Sequence, residues 1–205
     1  MTPPVPGTSF LPVCRADMEA RGWEELDFLL VNGDAYVDHP SFGGAVIARV
    51  LEAAGFRVGI LPQPDWRDVR SYGSMGRPRL AVLVTSGNLD SMLNRFTAAK
   101  KDRSRDSYSP GGRKGLRPDR AVIVYCNGIR QLWGDVPLVI GGVEASLRRF
   151  AHYDYWADKP RRSILIDSGA DLLVYGMGEA QIREIASLLD RGVSIKDIRS
   201  VRGTM

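Results

Sequence analysis

PLVIGGVEASLRRFAHYDYW, residues 137–156, holds the clearest structural signal in the chain. The apolar run Leu138–Ile140 is long enough for a strand but too short for a helix, and it stops at the pair Gly141-Gly142. A carboxylate, Glu144, follows, then Arg148 and Arg149, then His152, Tyr153, Tyr155 and Trp156. A short run that is apolar on both faces and bounded by glycine fits a strand covered on both sides.

The same habit recurs outward from this stretch. LDFLLVNGD (26–34), LAVLVTSG (80–87) and ADLLVYGMGE (170–179) are short apolar runs that end in glycine or small polar residues, and FRVGIL (56–61) supplies a further strand without that ending. Between the strands lie segments of crossover length. Val46, Ile47, Val50, Leu51 and Ala54 fall on one helical face, with Ser41 placed to cap the helix and Gly55 to end it. Residues 117–134 carry β-branched side chains that favour a strand, but Pro118 and Asp119 at a first turn, with Val122, Tyr125, Ile129 and Leu132 on one face, predict a helix. Ile182, Ile185, Ala186 and Leu189 predict another. Alternating strands and helices of this kind predict an α/β domain, an open parallel sheet with helices on both faces.

In such a sheet ligands sit beyond the carboxyl ends of the strands. Glycine there lets a bulky group approach the backbone, and helices that start there offer free N–H groups. Gly141, Gly142, Gly176 and Gly178 are therefore the expected floor of a cleft, with Asp38, His39 and Ser41 in the first strand–helix loop and Glu144 beside it as further binding candidates. Glu144 could also cap a helix or pair with Arg148, and Arg148, Arg149, Arg161 and Arg162 could grip an anion or face solvent. No residue set has the pattern of a catalytic or metal site; Asp34 and Asp38 lack a third oxygen ligand. The rings around His152 suit a docking contact.

Composition sets further bounds. No apolar stretch approaches the ~18 residues that span a bilayer, so no membrane contact is expected. The start, MTPPVPGTSFLPVC, is not a secretory signal and reads as an extended leader over 1–25. The two cysteines, Cys14 and Cys126, imply a reduced, cytoplasmic setting; no CxxxCxxC is present, so the chain cannot by itself ligate an iron–sulfur cluster. The net charge of +4 comes from residues 100–120, which hold eight Lys or Arg against three Asp. This basic segment, 100–117 at its core, reads as a loop over the cleft rather than a nucleic-acid site, because Tyr108 is its only aromatic residue.

The runs FLLVNGDAYVDHPSFGGAVIARVLEAAGFRVGIL, YCNGIRQLWGDVPLVIGGVEASLRRFAHYDYW and ADLLVYGMGE resemble the amino-terminal domain of the YgiQ-type radical SAM proteins, and the likeness extends from about Phe10 to about Leu189. The resemblance implies a flavodoxin-like, cobalamin-binding-like sheet of five strands in the order 2-1-3-4-5, covering 26–192 with an insertion at 143–170. Residues 193–205 would begin a linker to a radical SAM barrel beyond this chain. The [4Fe–4S] cluster and S-adenosylmethionine would belong to that barrel in the full-length family, with no cofactor within this chain. The implied role is an accessory domain that covers the barrel and helps bind a substrate of unknown nature. A stand-alone module for a corrinoid or nucleotide is the alternative. The cobalamin motif of that fold, DxHxxG, is departed from here: His39 follows Asp38 directly and Gly43 lies four residues beyond His39. That counts against a histidine-ligated cobalamin and leaves base-off binding open.

Overall fold

The computed structural model describes residues 10–205. Five parallel strands form the central sheet: β1 (Phe28–Asn32), β2 (Val58–Pro62), β3 (Ala81–Thr85), β4 (Leu138–Ile140) and, last in the chain, β7 (Leu172–Leu173). Their spatial order is β2-β1-β3-β4-β7, the expected 2-1-3-4-5 when only these strands are counted. Leu30 stands between Ile60 and Leu83, Leu83 beside Val139, and Ile140 beside Leu173.

Every residue of β1 is buried, because alternate side chains enter two different cores. Phe28, Leu30, Leu83 and Val139 face α2 (Gly43–Ala53) and α7 (Glu179–Asp190), against Ala48, Leu51, Ile182 and Ile185. Leu29, Val31, Val82 and Leu138 face the other way, against α4 (Ala121–Trp133) through Val122, Tyr125, Cys126 and Ile129. Within 117–134 the helix runs from Ala121 to Trp133, with one apolar stripe buried despite the β-branched composition; Pro118 and Asp119, expected in its first turn, lie before it, and Arg120 enters the helix in a left-handed conformation, φ +51°. Each fully buried Leu or Ile contributes about 1.5–3 kcal/mol. Burial pushes the Cys126 thiol up to about 12, which leaves it an inert apolar filler. No helix among the described residues is long and apolar enough to cross a membrane.

Three expectations are corrected. The part of the 1–25 leader that is described is packed, not extended: α1 (Arg15–Ala20) buries Met18, and Leu11 is in the core; residues 1–9 lie outside the described residues. Residues 193–205 are no free linker, since Ile195, Ile198 and Val201 are buried and Met205 exchanges two backbone hydrogen bonds with Leu173. Leu11, Ile195, Ile198 and Val201 extend the α2–α7 core, and Met18 joins the core on the α4 side. Ser41 does not cap α2; Phe42 precedes it without a side-chain cap, although Gly55 follows the helix with φ +93° as expected.

Between β4 and β7 lie α5 (Gly142–Leu147), a hairpin of β5 (His152–Asp154) with β6 (Lys159–Arg161), and α6 (Ile164–Ser168). Asp154 shapes the hairpin turn by accepting from the N–H groups of Trp156 and Ala157, and it pairs with Arg120 at 2.8 Å. One short helix, α3 (Ser91–Arg95), precedes the basic segment.

Candidate functional site

Parallel strands put all their carboxyl ends on one side, and a cleft of about 790 Å³ opens there. Its floor is Leu30, Leu83 and Val139 from the sheet; its walls are Val46 and Ile47 of α2 and Ile182 of α7. Polar groups are few and lie near the mouth: Ser41, Thr85, Asn88, Ser146 and Glu179. Such a site suits a ligand with a broad apolar body and a few polar anchors.

Gly141, Gly142, Gly176 and Gly178 all line the cleft, as does Ser41. Their reasons differ. At Gly176 a Cβ would meet nothing within 4 Å, so its φ of +76° is what requires glycine. Gly142 combines φ +83° with the Thr85 hydroxyl 2.5 Å from where a Cβ would stand. Two other strand-end glycines sit on the same edge without lining the cleft. A Cβ on Gly33 would lie 2.1 Å from the Ser86 carbonyl oxygen, and one on Gly87 would meet the Asp34 carboxylate at the same distance.

Asp38, His39 and Glu144 are not brought into the cleft. Asp38 is ion-paired with Arg49, and that hydrogen bond holds its carboxyl below the usual carboxylate range. His39 is exposed, and its Nδ1 accepts from the Ser41 N–H at 3.1 Å. Glu144 points into the protein: it is fully buried, and its two oxygens accept from the N–H groups of Ser91 (2.8 Å) and Val122 (3.3 Å), at the starts of α3 and α4. Burial, with Asp90 nearby, pushes its carboxyl up. It therefore caps two neighbouring helices and not its own. The arginines are largely engaged: Arg148 meets Asp90 at 2.5 Å and Glu144 at 3.8 Å, Arg149 donates to the Ser146 carbonyl, and Arg161 and Arg162 hold Asp167.

Sequence reasoning missed the groups that assemble the edge. Asn88 donates its N–H to Asp34 and its Nδ2 to the Ser41 carbonyl, and accepts from the Gly43 N–H, so it pins the first strand–helix loop. Arg117, side chain 2% exposed, reaches Asp34 at 2.8 Å, Asp106 at 3.3 Å and the Ser86 carbonyl at 2.8 Å. Burial pushes the Asp34 carboxyl up even so. This cluster anchors the basic loop, and Tyr108 from that loop does reach the cleft wall. No spacing in the sequence announces these contacts, which join residues up to 83 positions apart. A smaller hollow at the opposite end of the sheet, about 560 Å³, holds Arg79 and Arg130 already paired with Asp190 and Asp171.

The mouth of the cleft is apolar and exposed. Met177 is 82% exposed, Leu147 65% and Val143 45%. Three such groups together exceed the scattered exposure that ordinary surfaces show.

Comparisons with known proteins agree with this architecture. A family described as "Radical SAM N-terminal" matches residues 10–205. A UPF0313 protein of Clostridium perfringens (strain 13 / Type A) is 60% identical over 195 residues, covering 95% of this chain and 30% of its own length. A UPF0313 protein of Clostridium botulinum (strain 657 / Type Ba4) is 58% identical with the same coverage. The chain thus spans about 30% of the length of the curated relatives it matches. Among solved structures, the radical S-adenosylmethionine methyltransferase TsrM of Kitasatospora setae, with tryptophan and a SAM analogue bound, aligns with TM-score 0.55 and 22% identity, over 86% of this chain and 27% of that one. The same enzyme with cobalamin and a [4Fe–4S] cluster bound gives 0.54 and 22%, over 86% and 26%. At that identity the likeness is one of fold.

Proposed function

The chain belongs to the radical SAM N-terminal family, and from that premise we propose that it is the accessory domain of a radical SAM protein, seated over the barrel and helping to hold the substrate. The observation that carries this reading is the exposed apolar rim, Val143, Leu147 and Met177, around the cleft at the strand ends. A face of that kind gains from being covered. The cluster and S-adenosylmethionine belong to the rest of the full-length protein, because two cysteines cannot supply the three thiolates of a radical SAM site. This chain's own part is to present a shaped, water-poor wall to the reacting centre. Mixing the purified chain with the remainder of the C. perfringens relative should give a co-eluting complex that Leu147→Glu with Met177→Glu disrupts. No association, or association indifferent to both substitutions, refutes the reading.

A second reading, a corrinoid or nucleotide in the cleft, draws support from the apolar body and glycine mouth of that space. His39 does not fit a lower axial ligand, because it lies outside the cleft lining. Only a base-off corrinoid without a histidine ligand suits these residues. Titration with hydroxocobalamin, followed by absorbance, should then show saturable binding that Gly176→Leu abolishes; an unchanged spectrum eliminates it.

A further inference from the structure

The basic segment and the aromatic hairpin, separate in the sequence, form one surface. Phe96 bridges Asp102, Lys100 and Lys101 donate their N–H groups to Thr97, and Arg103 donates to the Arg95 carbonyl, so residues 95–103 make a small hairpin with Lys100 at its tip, φ +58°. The Tyr155 hydroxyl donates to the Ala98 carbonyl at 2.7 Å, across 57 positions of sequence. The Lys100 ammonium stands 4.7 Å from the Tyr155 ring centroid, and Trp156 packs on Phe96 at 5.3 Å. Tyr155 is 50% exposed and Tyr153 60%.

The cations here are largely uncommitted. Lys100, Lys101, Arg105 and Arg113 have no carboxylate within salt-bridge reach among the described residues, and Arg103 gives its Nε to the Leu93 carbonyl only. The acids on this surface are occupied. Asp102 meets Arg95 and Lys114, Asp119 meets Arg95, and Asp158 accepts from the Tyr153 hydroxyl. The shortage of rings that sets nucleic acid aside at the level of sequence is thus removed by the fold, which brings Tyr155 and Trp156 onto the loop.

We propose that this surface binds single-stranded nucleic acid. Lys100, Lys101 and Arg103 take backbone phosphates, with Arg105 and Arg113 continuing the basic track along the loop. A base takes the face of Tyr155 that the Lys100 ammonium now covers. The exchange is favourable because the ammonium gains a phosphate as the base gains a ring. An acidic protein partner would use the cations but has no use for the ring. The proposal stands independently of the radical SAM reading, since none of these residues lines the cleft or its apolar rim.

The test is fluorescence anisotropy of a labelled oligouridylate of about ten nucleotides against the intact chain, between about 50 and 200 mM salt. Log affinity should fall with log salt with a slope of about −2, as expected for three phosphates on a single strand. Lys101→Glu with Arg103→Glu should flatten that slope by about 1 or more. Tyr155→Ala should weaken binding about fivefold or more with the slope kept, whereas Tyr155→Phe, which retains the ring, should bind within about twofold of the parent. No binding at low salt, displacement by polyglutamate as readily as by unlabelled oligonucleotide, or equal loss in Tyr155→Phe and Tyr155→Ala would each overturn it.

Discussion

Asp27 shows what one side chain does for this sheet. It is almost fully buried before β1, and its carboxylate accepts from the Arg57 backbone and guanidinium and from Arg79. Burial alone would raise its pKa, but those bonds win and hold it below the ordinary 3.8. A depressed carboxyl stabilises the fold above its unfolded value and loses that contribution as the pH falls through the folded one. The urea midpoint of the parent should therefore drop below pH 3.8, and Asp27→Asn should remove this component of the acid sensitivity while lowering stability at neutral pH. Glycines at the strand ends give a second residue-scale prediction. Gly33→Ala must push a Cβ into the Ser86 carbonyl, part of the β1–β3 edge that cannot yield, and should cost about 3 kcal/mol or more. Gly176→Ala meets only open space and should cost about 1–2 kcal/mol, the penalty of a left-handed backbone. Chemical denaturation of both variants separates the two cases.

At the scale of elements, the basic loop is held by one buried side chain. Arg117 ties it to Asp34 at the end of β1 and to Asp106 within the loop. Removing one member of a buried charge cluster typically costs about 3–5 kcal/mol. Arg117→Ala should release the loop before the sheet melts, because the two cores on either side of the sheet do not include it. Trypsin should then cut between residues 100 and 115 well below the melting temperature, while the parent resists; equal cleavage in both would show that the anchor lies elsewhere.

For the whole molecule, the decisive feature is asymmetry. Two cores are filled, yet the cleft edge leaves Val143, Leu147 and Met177 in solvent. The chain by itself should associate as its concentration rises, and Leu147→Glu with Met177→Glu should keep it monomeric in sedimentation velocity. A parent that stays monomeric at high concentration would contradict the docking role of this face.

The five strands, the main helices and the edge on which glycines gather are legible in the residue order alone, because burial on two faces and helical periodicity are written locally. That order also placed Gly141, Gly142, Gly176 and Gly178 on the cleft. The rest emerges only when the chain is folded. Glu144 turns inward to cap two helices, His39 stays outside, Arg117 enters the interior, and Tyr155 meets Lys100, because each of these depends on partners distant in the chain. Local pattern records which face a residue prefers; it does not record which distant dipole or charge will be waiting there.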